Sequence, residues 1–451
     1  MKITFYGGAG MVTGANYLLE TKKNKILVDC GMKQGDDDAK NSNFERFPYD
    51  ISEISAIFVT HAHVDHIGMI PKLVKSGFRG RIISTPPTKD FAGPLLTDSE
   101  KLLRDEANKK GRTPPYSTGD IAQALGFWET VHYHETIQVS DFTAEFFDAG
   151  HILGSSFISI KAEDKTIVFS GDLGNENTPF IKPLEKIEYA DYVLIESTYG
   201  GKLHENVRTR KDIIEDLIED TTKKGGTLLI PAFALERTQE MLFELNELVE
   251  NRRVRNVPIF VDSPLAITLT EIYRSYSGDS RYFSGAAIST GASGDGIFDF
   301  SGLKFTYSEK ESKKIRETPN PKIIIAGSGM SHGGRIIFHE REYLSDPKNT
   351  ILFVGFQSKG SVGRLIRDGA KTVNIFGDDV PVRSRVVAID GYSAHADQKK
   401  LLEWITPMRF SLKKTFVVQG EEESASALAE KIRDLLAVSA EIPIDGETAV
   451  L

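Results

Sequence analysis

Short apolar runs separated by polar or glycine-rich turns occupy the first two hundred residues. Runs at residues 3–6, 26–28 and 54–59 have the length and composition of buried β-strands. Residues 65–75 instead carry apolar side chains at helical spacing, and residues 97–110 show a weaker, more polar helical pattern. Further strands are predicted at residues 82–83, 144–147, 157–160, 166–169 and 192–195. This order predicts a layered α/β unit.

The pattern changes after Gly200 to a regular alternation of helices and apolar strands. The predicted helices lie near residues 210–223 and 237–251, and the predicted strands at residues 227–230, 259–261, 323–326 and 351–354. Such alternation is typical of a parallel, doubly wound sheet. Residues 277–302 are rich in glycine and serine, which predicts an irregular loop.

The end of the chain returns to the pattern of the first unit, with strands predicted at residues 386–389 and 415–418 and a helix at residues 425–436. The middle unit is therefore interpreted as an inserted domain. The length agrees, because 451 residues are too many for one compact core and predict two or three folded units. The fractions of hydrophobic residues, 40%, and charged residues, 26%, are those of an ordinary globular protein.

Charge and cysteine content narrow the function classes. The net charge of −9 argues against a uniformly basic surface for nucleic acid but is compatible with a local positive groove. Basic clusters at residues 252–255 and 310–316 could follow a nucleic-acid backbone or could be solvated helix ends. Cys30 is the single cysteine, which excludes disulfides and favours a reducing compartment. With no charged-then-apolar leader and no long apolar stretch, the sequence predicts a cytoplasmic protein without a membrane segment.

Residues 60–66, Thr-His-Ala-His-Val-Asp-His, are the most informative segment for chemistry. They lie where the predicted strand 54–59 ends and a helix begins, and they hold three of the ten histidines of the chain. Imidazoles and carboxylates are the ligands that zinc takes when one position must stay open for water. We therefore predict that His61, His63, Asp65 and His66 are metal ligands. His132 and His134 also alternate on a predicted strand, which we interpret as one solvated face.

Three residues elsewhere in the chain, His151, Asp172 and Asp29, would complete such a site. His151 and Asp172 each follow a predicted strand, and either one alone would more often be an ordinary turn residue. Together with the histidine segment they fit a metal centre, in which Asp172 could bridge two metal ions that activate water for attack at phosphorus. Asp29, at the end of the strand 26–28, could accept a hydrogen bond from a ligand or from metal-bound water.

These residues resemble the β-CASP group of metallo-β-lactamase-fold nucleases, which includes the messenger-RNA 3′-end processing endonuclease. Asp29, residues 61–66, His151 and Asp172 match four motifs that the whole fold shares. Glu196, within Ile-Glu-Ser-Thr-Tyr-Gly, resembles motif A of the group, and His395, within Gly-Tyr-Ser-Ala-His-Ala-Asp, resembles motif B. Residues 231–234, 262–264, 328–330 and 355–364 also match segments of the group, so the resemblance covers essentially the whole chain.

The resemblance implies an α/β fold, a metallo-β-lactamase αββα sandwich interrupted by a doubly wound α/β β-CASP domain. We place the sandwich at residues 1–205 and 375–451 and the insertion at residues 206–374. The implied activity is zinc-dependent hydrolysis of single-stranded RNA by metal-bound hydroxide, in a cleft between the domains. Asp29 and Asp65 would assist catalysis, and Glu196 would orient His395 to protonate the leaving 3′ oxygen. A homodimer is common in the group.

Two glycine-bearing loops, at residues 327–334 and 355–363, could let backbone N–H groups approach phosphate oxygens. Plain turns after parallel strands have the same composition, so both interpretations stay open. The predicted substrate-binding residues are Ser328, Gly329, Met330, Gln357, Gly363 and Arg364.

One departure from the group is Gln419, which stands where RNA-cleaving members carry the histidine of motif C. An amide oxygen is a weaker zinc ligand than imidazole. The sequence therefore predicts one tightly held Zn²⁺ and a weaker second site at Asp65, His66 and Asp172, which could accept Mn²⁺. Two alternatives follow: a non-catalytic RNA-binding or scaffold subunit with a partly decayed metal site, or a DNA nuclease of the same fold. Retention of the other motif residues argues against the first.

Overall fold

A computed structural model of the 451-residue chain describes residues 1–175, 180–204, 208–285, 287–288, 296–355, 357–358, 360–389 and 394–451. The chain forms two compact units. The first comprises Met1–Thr178, Lys182–Leu203 and Ala394–Leu451, and the second comprises Pro179–Ile181 and His204–Ser393. Part of the loop predicted at residues 277–302, Phe356 of the second glycine loop, and residues 391–393 of the predicted motif B lie outside the described residues.

The N-terminal part of the first unit contains eleven described strands and five described α-helices. The strands are β1 (Lys2–Phe5), β2 (Tyr17–Glu20), β3 (Lys25–Val28), β4 (Ile54–Phe58), β5 (Arg81–Ser84), β6 (Trp128–Thr130), β7 (Thr136–Val139), β8 (Phe142–Asp148), β9 (Ser156–Ala162), β10 (Lys165–Phe169) and β11 (Tyr192–Glu196). The helices are α1 (Asp37–Ser42), α2 (Val64–Ile67), α3 (Ile70–Lys75), α4 (Pro86–Lys109) and α5 (Thr118–Gly126), with a 3-10 turn at Ile51–Glu53.

The second unit alternates helices and strands, as the sequence predicts. Its described elements are α6 (Arg208–Lys223), β12 (Thr227–Pro231), α7 (Arg237–Glu250), β13 (Ile259–Asp262), α8 (Pro264–Tyr276), β14 (Leu303–Phe305), α9 (Glu309–Lys314), a 3-10 turn (Ile315–Glu317), β15 (Lys322–Ala326), α10 (Ile336–Tyr343), β16 (Thr350–Phe353), α11 (Val362–Arg367), β17 (Thr372–Ile375), β18 (Asp378–Pro381) and β19 (Arg385–Ala388). Six strands form one sheet in the order β14-β13-β15-β12-β16-β19, and every pairing in it is parallel.

The first unit is completed by the C-terminal elements α12 (Gln398–Ile405), a 3-10 turn (Thr406–Met408), β20 (Lys414–Val418), α13 (Glu422–Leu436), β21 (Ala440–Glu441) and β22 (Thr448–Val450). Two described sheets result, in the orders β22-β1-β2-β3-β4-β5-β6 and β21-β20-β11-β10-β9-β8-β7. Apolar side chains from both sheets, including Phe5, Phe58, Phe146 and Phe169, form one shared core. The outer face of the second sheet packs on α12 and α13 through Trp404 and its neighbours.

Burial explains why these segments are strands. Every residue of β12, β13, β15 and β16 is buried, as expected when helices cover both faces of a parallel sheet. In β8 buried and half-buried residues alternate, which is the period of a strand with one face on the core.

Two sequence predictions need correction. Helix α4 begins at Pro86, before the predicted start at residue 97, because proline is tolerated at the first helical positions and does not end the pattern there. The second unit extends to Ser393, beyond the boundary predicted at residue 374, because β19 pairs in parallel with β16 and so belongs to the inserted sheet.

Candidate metal centre

The histidine segment leaves the carboxyl end of β4 and enters α2, and Asp29 fixes its path. The Asp29 carboxylate accepts hydrogen bonds from the backbone N–H and the hydroxyl of Thr60, both at 2.8 Å, and lies 2.7 Å from His66 Nδ1. Asp29 is buried, so these bonds are made away from bulk water, where they are stronger. Of the two roles predicted for Asp29, the structure places it beside a candidate ligand, His66.

Four candidate ligands bring one atom each to a common point. His63 Nδ1 lies 3.0 Å from His61 Nε2 and 3.2 Å from His151 Nε2. Asp172 Oδ2 lies 3.4 Å from His61 Nε2 and 3.6 Å from His151 Nε2. His61, His151 and Asp172 are buried, whereas His63 is partly exposed. Such a group of imidazole nitrogens and one carboxylate oxygen can hold a metal ion.

The protonation of the cluster favours metal binding. The Nδ1 atom of His151 lies 3.2 Å from the Ala394 carbonyl oxygen, so its N–H donates there and Nε2 keeps the lone pair that faces the cluster. Removal from water lowers the pKa of His63 and of His151 well below the usual value, and neighbouring imidazoles, His61 and His395 respectively, lower it further. Both rings are therefore neutral at pH 7, which is the form that binds a metal.

A second group places an imidazole between two carboxylates. His395 Nδ1 lies 3.2 Å and 3.3 Å from the two carboxylate oxygens of Glu196 and 3.9 Å from Asp172 Oδ2. Glu196, at the end of β11, is fully buried and accepts a hydrogen bond of 2.6 Å from the Leu173 N–H. Burial lowers the pKa of His395, but Glu196 and Asp172 outweigh that effect and raise the pKa to about 9. His395 is thus an imidazolium at pH 7.

The other side of Asp172 holds the predicted weaker site. Asp172 Oδ1 lies 3.3 Å from His66 Nε2, and the Gln419 side-chain nitrogen lies 2.7 Å from that oxygen and 3.0 Å from His66 Nε2. Asp65 is more distant, with its Oδ2 atom 4.0 Å from His66 Nε2. Burial lowers the pKa of His66, but Asp172 and Asp29 outweigh it and raise the pKa well above the usual value. Gln419 thus lies among the predicted ligands of the second metal.

The predicted substrate-binding residues belong to the second unit. Gln357 is buried, and its side-chain N–H groups donate to the carbonyl oxygens of Gly329, at 2.8 Å, and Gly355, at 3.2 Å. It therefore joins the two glycine loops to each other, and its contact with a substrate stays a prediction. Gly363 contributes by being small, because a Cβ there would lie 2.0 Å from Gln357 Oε1.

Of the other predicted residues, Ser328, Met330 and Arg364 are partly exposed. Arg364 is exposed enough to reach a phosphate, although its Nε donates at 2.7 Å to Asp368 in the same helix. The Ser328 hydroxyl accepts a hydrogen bond of 3.1 Å from the His332 N–H, and the Met330 carbonyl accepts one of 3.3 Å from the Gly363 N–H. These bonds shape the loops, and Arg364 supplies the positive charge.

Thr60 is a functional residue that the sequence analysis did not assign. Its hydroxyl lies 3.1 Å from His61 Nδ1 and 3.3 Å from His66 Nδ1, so it orients the rings of two candidate ligands. Gly171, with φ of +52°, allows this packing because a Cβ would lie 2.7 Å from Thr60 Cβ. The position of Thr60 directly before His61 was the feature of the sequence that could have identified it.

His132 and His134 lie in the turn between β6 and β7, so the predicted strand face there is wrong.

The fold and this cluster define a class of protein, and comparison of the chain with known protein families agrees. The chain matches the metallo-beta-lactamase superfamily at residues 10–185, the Beta-Casp domain at residues 238–366, and the Zn-dependent metallo-hydrolase RNA specificity domain at residues 379–443. The chain belongs to the β-CASP branch of the metallo-β-lactamase superfamily, which confirms the predicted family and fold. It is therefore a metal-dependent hydrolase by family.

Similar proteins span the whole chain. Ribonuclease TTHA0252 of Thermus thermophilus is 36% identical over 95% of this chain and 95% of its own. Transcription termination factor FttA of Methanosarcina mazei is 30% identical over 100% of this chain and 72% of its own, and an RNase J-like protein of Methanocaldococcus jannaschii is 31% identical over 98% of both. A crystal structure of a protein of unknown function from Enterococcus faecalis shares the fold, with a TM-score of 0.53 at 13% identity over 100% of this chain and 99% of its own.

Within the described residues, no helix combines the length and the apolar character needed to cross a bilayer.

Proposed function

We propose that this chain is a zinc-dependent ribonuclease that hydrolyses phosphodiester bonds of single-stranded RNA. The observation that carries the proposal is the convergence of four metal-binding atoms, from His61, His63, His151 and Asp172, beside the imidazolium of His395. A match to an RNA specificity domain and the name of a ribonuclease that is 36% identical over 95% of both chains support RNA as the substrate.

The spacing of the four atoms favours zinc. Zinc–nitrogen bonds of about 2.0–2.1 Å in a tetrahedron place the ligand atoms about 3.3–3.4 Å apart. Four of the six separations, 3.0, 3.2, 3.4 and 3.6 Å, lie around that value, and all four atoms lie within 4.8 Å of one another. Three imidazoles and one carboxylate also match the donor preference of zinc. At this position zinc would acidify water and draw electron density from a phosphoryl oxygen.

The protein's own residues would handle the leaving group. When the oxygen of a water molecule bonds to phosphorus and the bond to the 3′ oxygen breaks, His395 donates its proton to that oxygen. Glu196 keeps the ring aimed, because its carboxylate is buried and held by the Leu173 N–H. The products are a 5′-phosphate and a 3′-hydroxyl, and a proton of the water molecule restores His395.

The second unit would hold the RNA backbone. We assign phosphate contacts to the glycine loop at Ser328–Met330 and to Arg364, because backbone N–H groups of glycine-bearing loops can approach phosphate oxygens and the partly exposed arginine supplies charge. The buried Cys30 thiol is free and supports a reducing, cytoplasmic compartment. The homodimer stays a prediction, which sedimentation of the full chain tests.

The test compares labelled single-stranded RNA with DNA of the same sequence, in Zn²⁺ or Mn²⁺. We expect RNA cleavage with 5′-phosphate products, lost by about three orders of magnitude in His63→Ala because a metal ligand is removed. His134→Ala is the matched control, since His134 is an exposed histidine of the same unit. Cleavage of DNA alone would establish the DNA-nuclease alternative, and RNA binding without cleavage would establish the scaffold alternative.

A further inference from the structure

We infer that the Gln419 side chain occupies the place of a second metal ion, so that the centre holds one metal, on His61, His63, His151 and Asp172. The inference rests on the proposed metal-dependent function and names the metal count of the same site. It goes beyond a weakened second site, because the amide does more than fail to bind: its hydrogens engage the atoms that a second metal would need.

The orientation of the amide follows from its neighbours. A carboxylate at pH 7 only accepts hydrogen bonds, so the group 2.7 Å from Asp172 Oδ1 must be the Gln419 nitrogen and not its oxygen. For the same reason His66 Nδ1, 2.7 Å from Asp29 Oδ2, carries a hydrogen. In the neutral ring, Nε2 then has the lone pair, and it lies 3.0 Å from the same amide nitrogen.

One NH₂ group therefore satisfies two potential ligands at once. Its first hydrogen is directed to Asp172 Oδ1 and its second to His66 Nε2. In this arrangement neither atom is free to bind a metal unless Gln419 moves.

The backbone holds Gln419 where it is. Its N–H donates to the Gly8 carbonyl at 2.5 Å, and its carbonyl accepts from the Thr198 hydroxyl at 3.0 Å. The side chain is buried, and a Cβ added to Gly8 would lie 3.2 Å from Gln419 Cγ and 2.5 Å from the Tyr17 hydroxyl. These neighbours confine the amide, so displacing it requires their movement as well.

The first subsite shows the opposite arrangement. His63 Nδ1 lies 3.0 Å from His61 Nε2 and 3.2 Å from His151 Nε2, so three imidazole nitrogens converge there, and neither hydrogen bond described for the Gln419 amide involves them. On the second side only Asp65 remains, and its carboxylate is 4.0 Å from His66 Nε2. One partly exposed carboxylate is too few ligands for tight binding of a transition metal.

The test counts metal ions and does not depend on activity. Chelator-stripped protein is titrated with Zn²⁺ by calorimetry, and metal content after dialysis is measured by mass spectrometry. We expect about one zinc per chain in the wild type and about two in Gln419→His, which restores an imidazole. Histidine tolerates the left-handed backbone of this position, where φ is +52°. Two zinc ions of comparable affinity in the wild type would overturn the inference.

A second pair of variants keeps the test decisive if Gln419→His does not fold. His66→Ala should retain about one zinc per chain, whereas His63→Ala should lose zinc, because only the latter belongs to the occupied subsite. The reverse pattern would place the ion on the Gln419 side and contradict the inference. Failure of the one-zinc protein to cleave RNA would contradict the proposed ribonuclease activity. It would not affect the inference about the number of metal ions.

Discussion

Two buried carboxylates occupy matching positions in the two units and have different surroundings. Glu196 is the last residue of β11 and Asp262 is the last residue of β13, both strands being in parallel ladders. Each is fully buried and each contacts a histidine, His395 at 3.2 Å and His339 at 2.7 Å. A carboxylate–imidazole pair at a strand end is therefore not sufficient to identify catalysis.

The difference lies in what else contacts the pair. Asp262 also accepts hydrogen bonds from Thr306 at 2.6 Å, Ser312 at 2.6 Å and Arg335 at 2.7 Å, so the chain itself satisfies it. His395 instead lies beside the metal-binding cluster, with its ring centroid 4.7 Å from that of His151. The first pair can act on a ligand, and the second joins the elements of the inserted sheet to each other.

The largest expected effect is on catalysis. Replacing His395 with asparagine removes the proton donor, and we expect kcat for RNA cleavage to fall by about 10²–10⁴. Zinc content should stay unchanged, because His395 is not among the four ligands of the proposed site. The matched variant His339→Asn should leave zinc content unchanged and lower the melting temperature. An unaltered kcat in His395→Asn would show that the Glu196–His395 pair has no catalytic role and does not differ in this respect from the Asp262–His339 pair.

A smaller effect, on stability, is expected at the second pair. Burial raises the pKa of Asp262, but hydrogen bonds from His339, Ser312, Thr306 and Arg335 outweigh it and lower the pKa to about 2. Asp262→Asn should destabilise the protein by about 3 kcal/mol in urea unfolding at pH 7, because Arg335 loses its buried partner.

The pH dependence of this effect follows from the sign of the shift. The contribution of a depressed carboxyl is fully present above its unfolded pKa of about 3.9 and is lost as the pH falls towards 2. The difference between wild type and Asp262→Asn should therefore shrink below about pH 4. Glu309→Gln, at a fully solvated helix start, is the control and should show no such difference.

The smallest expected effect comes from a third buried carboxylate, Glu236, which has no histidine beside it. The Tyr273 hydroxyl donates to one of its oxygens, and the other has no hydrogen-bond partner among the described residues. Burial, helped by Glu240, raises the pKa of Glu236 to about 8. A raised carboxyl pKa means that stability is lost as the pH increases from about 4.5 to 8.

Glu236→Gln should remove that loss. We expect the melting temperature of the variant to exceed that of the wild type by about 3 °C at pH 8, and to match it near pH 5. Differential scanning calorimetry at the two pH values checks this. An equal difference at the two pH values would mean that Glu236 is ionised in the folded protein throughout this range.

The parallel sheet of the second unit was predictable because its strands are buried on both faces. Continuous apolar runs predicted β12, β15 and β16 to within about one residue of their observed bounds, which are Thr227–Pro231, Lys322–Ala326 and Thr350–Phe353. Helix α4 was less predictable, since Pro86 and Pro87 resemble a break in the chain although they occupy its first turn. Local pattern therefore identified elements better than their ends.

The residues of the candidate site also differ in how well the sequence predicted them. Spacing alone marked His61, His63 and His66, because they are close in sequence and on one turn. The sequence predicted a weaker second metal site from Gln419 but not the contact of its amide with His66, because the two residues are 353 positions apart in the chain. The burial of Gln357 was equally hidden, since glycine loops look alike whether they enclose a side chain or a ligand.

Strand β20, which pairs in parallel with β11, has a consequence for biosynthesis. The ribosome makes β11 first and must then complete the whole inserted unit before β20 emerges. At about 5–20 residues per second, the roughly two hundred intervening residues leave one side of β11 unpaired for about 10–40 seconds. Ribosome-bound chains arrested before residue 414 should therefore be cut by protease near β11, and full-length chains should resist.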